Sequence, residues 1–268
     1  MAREKPNKYR DENIQRDIKS FFQDEHHWAY EYGGPSRCGT NSPYHRKQIE
    51  VLFENKYFHW VTSRAVNELI EEGFLKQEKM GIAHFIYQAD AKVAGDEIYK
   101  RVELIKKYSN PVIVRGIGAY AELLFHFLFR VYGFEIVGEN TNEYEERKWI
   151  KTNHDLDYVI RKDSAAYGVE IKNTLDYMEN DEFETKLEIC EFLNLTPFWI
   201  VRGAPKIQFE KMKPVGGIIF MFKTQIYPPT QEPLVKEIWE TMRLPVTVWK
   251  RIPEKTEKRF LELIRGRK

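Results

Sequence analysis

The chain has 268 residues, enough for one large or two ordinary domains, and its 42% hydrophobic and 14% aromatic residues can supply their cores. Lys and Arg total 42 against 41 Asp and Glu, a formal net charge of +1, so binding to nucleic acid would depend on local clusters of basic side chains. The two cysteines lie far apart in sequence, which excludes a disulfide framework, and we find neither a secretory segment nor an apolar run of membrane length. We therefore expect a reduced, cytoplasmic protein without membrane contacts.

The first predicted element is an amphipathic helix over residues 11–22, because apolar side chains recur there at helical spacing. Residues 26–45 are rich in Gly, Pro and Ser and are expected to form a loop. Three histidines and one cysteine occur in this loop, but their spacing fits no standard zinc site. We therefore expect a structural loop here and not a metal centre.

Two short helices are predicted after this loop. The first covers residues 46–55, where apolar side chains lie on one face. The second has Thr62 or Ser63 as its N-cap and runs to about Glu72, and Gly73 ends it. The two helices are joined by a short turn, an arrangement typical of a helix-turn-helix.

Two strands, at 74–76 and 83–88, follow the second helix and are predicted to form a hairpin. Helix, turn, helix and hairpin in this order resemble the winged-helix family, whose second helix enters the major groove of DNA while the hairpin touches the backbone. The resemblance implies that the following side chains face DNA or lie on the hairpin wing: His59, Thr62, Ser63, Arg64, Asn67, Lys76 and Lys79. Glu68, Glu71 and Glu72 on the second helix leave open a module for protein contacts or dimerisation.

A run of small residues at 91–95 is interpreted as a linker. We therefore predict two domains, residues 1–95 and residues 96–268. The second domain would begin with a mostly polar helix over 96–108, which connects the two halves of the chain.

The most apolar helix is predicted over residues 116–132. Its polar side chains, Glu122, His126 and Arg130, are spaced four residues apart and therefore share one face. A buried carboxylate needs a partner, so Glu122 is a candidate functional residue. A strand at 134–138 follows a turn at the end of this helix.

Charged side chains interrupt two apolar strands, 156–160 and 167–171, that are joined by a tight turn. Glu170 and Lys172 are two residues apart and point to the same face of their strand. If the strands pair as a hairpin, Asp157 can reach that face, so two carboxylates and one ammonium would converge. A divalent cation would relieve the repulsion between the carboxylates, and hard oxygen ligands suit Mg²⁺ or Mn²⁺.

Asp157 followed thirteen residues later by Glu170-x-Lys172 resembles the PD-(D/E)xK nuclease family, which includes many restriction enzymes and archaeal Holliday-junction resolvases. The short hairpin between the Asp and the E-x-K is similar to the resolvase-like branch. Leu156 stands where the family's strict motif has Pro, and Asp155 is a competing candidate for the motif aspartate. Asp157 is preferred because it lies inside the apolar run.

The resemblance also implies roles for individual residues. The first helix of the nuclease core donates a glutamate to the metal site, and Glu122 matches it. Glu122, Asp157 and Glu170 would hold one or two Mg²⁺ or Mn²⁺ ions, with the Ile171 carbonyl as a further ligand. Lys172 would position the attacking water or the scissile phosphate.

The remaining chain is predicted to complete an α/β domain. A helix over 185–194 precedes a buried strand over 196–201, and Arg202 at the end of that strand is a candidate phosphate contact, because open α/β sheets bind ligands at strand ends. The further predicted elements are a strand at 215–222, a helix at 234–242, an edge strand at 244–249 and a helix at 253–264.

The sequence therefore predicts an α/β protein: a restriction-endonuclease-like mixed sheet flanked by helices, preceded by a winged-helix domain. The resemblance implies Mg²⁺-dependent hydrolysis of DNA phosphodiester bonds by water, with DNA as partner and a homodimer as the form that cuts both strands. Three alternatives stay open: a non-catalytic DNA-binding regulator on the same scaffold, an RNA-directed endonuclease, and a protein-interaction adaptor, which the near-neutral charge favours.

Overall fold

The structure, a computed structural model, describes residues 12–23, 28–29, 35–36, 42–93 and 95–265. Most of the loop predicted at 26–45 lies outside the described residues, including three of its four histidine and cysteine side chains. The chain forms two compact units, Met1–Ser109 with Lys236–Pro245, and Asn110–Val235 with Val246–Lys268. The helix at 95–108, which the sequence analysis assigned to the second domain, belongs to the first unit.

The first unit contains helices and a small antiparallel sheet. Its elements are α1 (Glu12–Gln23), β1 (Trp28–Ala29), β2 (Pro35–Ser36), β3 (Tyr44–His45), α2 (Arg46–Phe53), α3 (His59–Glu71), β4 (Leu75–Met80), β5 (Ala83–Gln88) and α4 (Gly95–Tyr108). Strands β3, β5 and β4 form a three-stranded sheet in that order, with antiparallel neighbours. Gly81, with φ of +59°, provides the left-handed backbone for the tight turn between β4 and β5.

The core of the first unit fixes α1 against the sheet. Phe21 and Phe22 lie on the buried face of α1, and both rings meet the Tyr44 ring edge-on, with centroids 4.8 and 5.4 Å apart. The carbonyl of Phe58 accepts the N–H groups of two residues in the next turn, so α3 begins at His59. The predicted N-cap at Thr62 or Ser63 was therefore wrong.

The second unit contains the larger sheet. Its elements are α5 (Pro111–Val131), β6 (Glu135–Thr141), β7 (Glu143–Tyr144), β8 (Arg147–Lys148), β9 (Leu156–Lys162), β10 (Ala165–Lys172), α6 (Asn180–Leu193), β11 (Thr196–Val201), α7 (Lys206–Met212), β12 (Ile218–Met221), β13 (Gln225–Tyr227), a 3₁₀ helix (Pro229–Gln231), α8 (Glu232–Met242), β14 (Val246–Val248) and α9 (Glu254–Arg265). Helix α8 begins in this unit, and its residues from Lys236 onward belong to the first unit.

Five strands form a mixed sheet in the order β12-β11-β10-β9-β6. Strands β6, β9 and β10 are antiparallel neighbours, whereas β10, β11 and β12 run parallel. The prediction of an α/β architecture with a mixed sheet flanked by helices is confirmed at this level. Strands β13 and β14 form a separate parallel pair.

Two cores cover the sheet. Phe125 and Phe129 of α5 pack with Phe198 and Phe260, whereas Cys190 of α6 belongs to a second buried cluster. Among the described residues, α5 is the one helix whose length and apolar composition would suffice to cross a membrane, and the sequence analysis did not identify it as such. Its apolar character also serves the first core, in which both of its named phenylalanines are fully buried.

Helix α5 begins five residues earlier than predicted. Asn110 accepts a hydrogen bond from the Val112 N–H through its side chain, and Pro111 occupies the first helical position. Proline suits this position because it has no N–H group, and an N–H group in the first turn of a helix has no partner within the helix. The extra turn does not change the face on which Glu122 lies.

Candidate functional site

The hairpin of β9 and β10 positions the two motif carboxylates. Its cross-strand pairs extend from Lys162–Ala165 beside the turn to Tyr158–Val169. Beyond the last pair, the Asp157 carboxylate accepts the Ile171 N–H at 2.6 Å. Asp157 is therefore held between the two strands, and its position is set by the backbone of β10.

Glu170 and Lys172 belong to a chain of ion pairs between β10 and α6. Lys186 Nζ lies 2.6 Å from Glu170 Oε2, and Lys172 Nζ lies 3.7 Å from Glu170 Oε1. The Lys172 ammonium also contacts Glu182 Oε1 at 2.5 Å. When both glutamates are ionised, positive and negative groups alternate through these four side chains, and each charge then has a compensating neighbour. Glu170 is the most deeply buried carboxylate of the group, with 2% of its surface exposed.

The charge of Asp157 affects the pKa of both other predicted metal-binding acids. Burial and the negative charge of Asp157 raise the pKa of Glu170 to about 8, while Lys186 opposes the rise. Burial and the charge of Asp157 also raise the pKa of Glu122, which is half-buried on α5. Burial raises the pKa of Asp157 itself, against the hydrogen bond from Ile171. Segments distant in sequence thus place three carboxyl groups in one electrostatic environment.

The donor chemistry of this environment fits a hard divalent cation. The carboxylates are oxygen donors, and burial, the largest cause of their raised pKa values, penalises their ionised forms, a cost that a cation would relieve. In the described part of the chain, no three His, Cys, Asp or Glu side chains are already arranged as a metal site. Asp157 Oδ2 and Glu170 Oε2 are engaged by the Ile171 N–H and the Lys186 ammonium.

The residues predicted to face DNA are divided by the structure into buried and surface groups. Thr62 is fully buried, and His59 is buried beside Glu54, with its Nε2 atom 3.0 Å from Oε2. These two side chains belong to the interior of the first unit and are not placed to meet a duplex. Ser63 and Asn67 both accept hydrogen bonds of 2.7 Å from a guanidinium nitrogen of an arginine on α2, Arg46.

The exposed face of α3 begins with an aromatic side chain. Trp60 is 62% exposed, and the Arg64 guanidinium lies 5.4 Å from the centroid of its ring. Asn67 is exposed two turns further along the helix, and Lys76 and Lys79 are exposed on β4. These side chains can contact an elongated polyanion.

Arg202 has a different environment from the one predicted. Its side chain is buried, and its guanidinium donates hydrogen bonds to the carbonyls of Thr174 at 2.9 Å and Leu175 at 2.6 Å. It therefore holds the segment that follows β10. The predicted phosphate contact at Arg202 is therefore wrong, because backbone carbonyls already accept its hydrogen bonds.

Three side chains were missed in the sequence analysis, namely Arg46, Glu182 and Lys186. The acid and the lysine on α6 stand four residues apart, a spacing that places them on one helical face, and this signal was available. It was overlooked because α6 was predicted to begin only at residue 185. Burial of the lysine could not be deduced without the fold.

A comparison of the sequence with protein-family models gave no match, and a comparison with curated proteins also gave none. The functional proposal therefore depends on the residues of the site and on the order of the elements that carry them.

Proposed function

We propose that the chain is a metal-dependent endonuclease that hydrolyses DNA phosphodiester bonds, with a PD-(D/E)xK-like core in its second unit and a winged-helix-like first unit. The supporting observation is that Asp157 raises the pKa of both Glu122 and Glu170, so that one strand acid acts on an acid of a helix and on an acid of the neighbouring strand. Helix, strand, strand with Asp, and strand with E-x-K is the order that the resemblance requires. Along the chain, α5 is followed by β6, β9 and β10, and these three strands belong to the mixed sheet.

Glu122, Asp157 and Glu170 are the residues that would hold Mg²⁺ or Mn²⁺, with the Ile171 carbonyl as an additional ligand. When bound, such a cation polarises a phosphoryl oxygen and lowers the pKa of its water. The chain supplies these carboxylates from α5, β9 and β10, and Glu170 Oε2 would have to leave the Lys186 ammonium before it could bind the cation.

Lys172 acts in this proposal as a hydrogen-bond donor and a positive charge. Burial opposes its charge, but the hydrogen bond to Glu182 and the charge of Glu170 raise the pKa of Lys172 above its usual value. Its ammonium is therefore protonated at neutral pH and is not the group that takes a proton from water. It can orient the water or stabilise the negative charge that develops on the phosphate.

The first unit would hold the duplex through the exposed face of α3 and the adjacent hairpin. Two acidic side chains on this helix are already engaged with α1: Glu68 accepts a hydrogen bond from Gln15, and Glu72 lies 3.1 Å from Lys19. These contacts reduce the unfavourable charge that Glu68 and Glu72 would present to DNA. A homodimer would supply the second site needed to cut both strands.

Nicking of supercoiled plasmid in the presence of Mg²⁺ tests the proposal. We expect the wild-type protein to nick, chelation of the cation to stop the reaction, and Lys172→Ala to lower the rate at least a hundredfold. Lys148→Ala removes an exposed ammonium that pairs with Glu143 at 2.9 Å and serves as the matched control. Plasmid binding without nicking under every cation condition would instead indicate a DNA-binding regulator, and preferential cleavage of RNA would redirect the substrate assignment.

A further inference from the structure

A second lysine, outside the E-x-K motif, lies deepest in the site. Lys186 is the one buried lysine in the described part of the chain, with 4% of its surface exposed. Its ammonium donates to Glu170 Oε2 at 2.6 Å and to the carbonyl of Asp155. Lys172, by comparison, keeps 29% of its side chain exposed and is shared with Glu182.

The contacts of Lys186 connect the start of β9 to the end of the neighbouring strand β10. Asp155 immediately precedes β9, two residues before Asp157, and Glu170 lies on β10. One ammonium therefore connects the segment that carries the first motif acid to the side chain of the second. Burial of an ammonium is expensive unless it is paired, and here the carboxylate and the carbonyl provide the partners.

We propose that Lys186 is the internal counter-ion of the site, and that a divalent cation competes with its ion pair to Glu170. This inference rests on the proposed metal-dependent function and adds a determinant of cation affinity to it. The Lys186 ammonium occupies one oxygen of the Glu170 carboxylate, which the divalent cation would need as a ligand. Its positive charge also repels that divalent cation. Lys186 therefore keeps the site compensated when no cation is bound and weakens cation binding.

Calorimetric titration of Mn²⁺ into protein without nucleic acid tests this role. Lys186→Met keeps most of the apolar stem and removes the charge, so we expect Mn²⁺ to bind at least tenfold more tightly than to the wild type. Lys211→Met is the matched control. Lys211 of α7 pairs with Glu184, which lies on α6 as Lys186 does, but both side chains of this pair are more than 40% exposed. The control should remain within twofold of the wild type.

The outcomes separate this inference from the proposed function. If the wild type binds Mn²⁺ and a folded Lys186→Met variant binds it equally or more weakly, the counter-ion role is wrong and the nuclease proposal stands. If neither protein binds Mn²⁺, both proposals are overturned. If only the Lys186→Met variant binds Mn²⁺, the counter-ion role is supported, and the proposal that the wild type is a metal-dependent nuclease is overturned.

A measurement on the wild type covers the case in which the variant fails to fold. Nitrogen-15 labelling of lysine side chains should give one slowly exchanging ammonium signal, because Lys186 is buried and hydrogen-bonded twice. Saturation with Mg²⁺ should shift this signal or accelerate its exchange with water. A signal that is unchanged at saturation would contradict the competition.

Discussion

Raising the pH from 6 to 9 is expected to destabilise the cation-free protein through Glu170. Burial and the charge of Asp157 raise the pKa of this carboxyl from 4.5 to about 8 in the folded state. The folded protein therefore holds the Glu170 proton more tightly than the unfolded chain does. Between pH 4.5 and 8 the folded state binds more protons, so the free energy of unfolding falls as the pH rises, and it levels off above about 8.

The size of the effect follows from the same pKa values. Each pKa unit corresponds to about 1.4 kcal/mol, so the full rise in the Glu170 pKa is equivalent to about 5 kcal/mol. Between pH 6 and pH 9 the loss from this group should be about 2–3 kcal/mol, because only the interval from pH 6 up to the folded-state pKa contributes to it. Such a loss is a large part of the stability of an ordinary domain.

Urea unfolding of the wild type and of Glu170→Gln, measured from pH 6 to pH 9 without divalent cations, checks this expectation. The glutamine side chain still offers an oxygen to Lys186 but cannot ionise, so the variant should lose most of the pH dependence. Glu188→Gln changes an exposed glutamate on α6 and should follow the wild type. Parallel pH profiles for the wild type and Glu170→Gln would refute the reasoning.

Three further predictions concern packing, the α3 surface and the hairpin. Gly168→Ala would place a methyl group 2.6 Å from a cysteine sulfur and 2.8 Å from a leucine carbon. Urea unfolding should therefore show a fall of about 1–3 kcal/mol in the free energy of unfolding. The control Gly118→Ala has open space around the new methyl group and should be neutral or slightly stabilising. Trp60→Ala should weaken binding of a labelled duplex about tenfold at fixed salt. Tyr99→Ala removes an aromatic side chain that is also 62% exposed and should leave the affinity unchanged. Equal losses of affinity in the two variants would mean that α3 does not contact the duplex. The Ile171 N–H donates a hydrogen bond to the Asp157 carboxylate, so Asp157→Ala should accelerate hydrogen exchange at this amide by roughly tenfold or more. Unchanged exchange would mean that this contact does not hold the strand.

The hairpin and the core strands could be predicted from sequence because their signals are local. Strand β11 matches the predicted residues, and Asp163, with φ of +53°, supports the tight turn between β9 and β10. Alternation of apolar and charged residues was sufficient to place Glu170 and Lys172 on one face. The coupling of Glu122 with Asp157 required the helix to cross the correct end of the sheet, which local patterns suggest only through the family resemblance.

The contacts that sequence could not supply are those decided by burial. The predicted helix begins only at residue 185, although Asp181 and Glu182 are favoured at the start of a helix because they complement its dipole. With this start, Glu182 lies outside the predicted helix, so its four-residue spacing from Lys186 was not recognised as a shared helical face. Arg202 was interpreted as a ligand contact because it follows a strand, but two nearby backbone carbonyls accept its hydrogen bonds instead.

The most direct test is the anomalous scattering of a crystal soaked in Mn²⁺. The nuclease proposal predicts a peak bound by carboxylate oxygens of Glu122, Asp157 and Glu170, at roughly 2.0–2.3 Å from each ligating atom, a coordination distance usual for small divalent cations and oxygen. A well-ordered crystal with no Mn²⁺ peak near these side chains, or with Mn²⁺ bound only elsewhere, would contradict it.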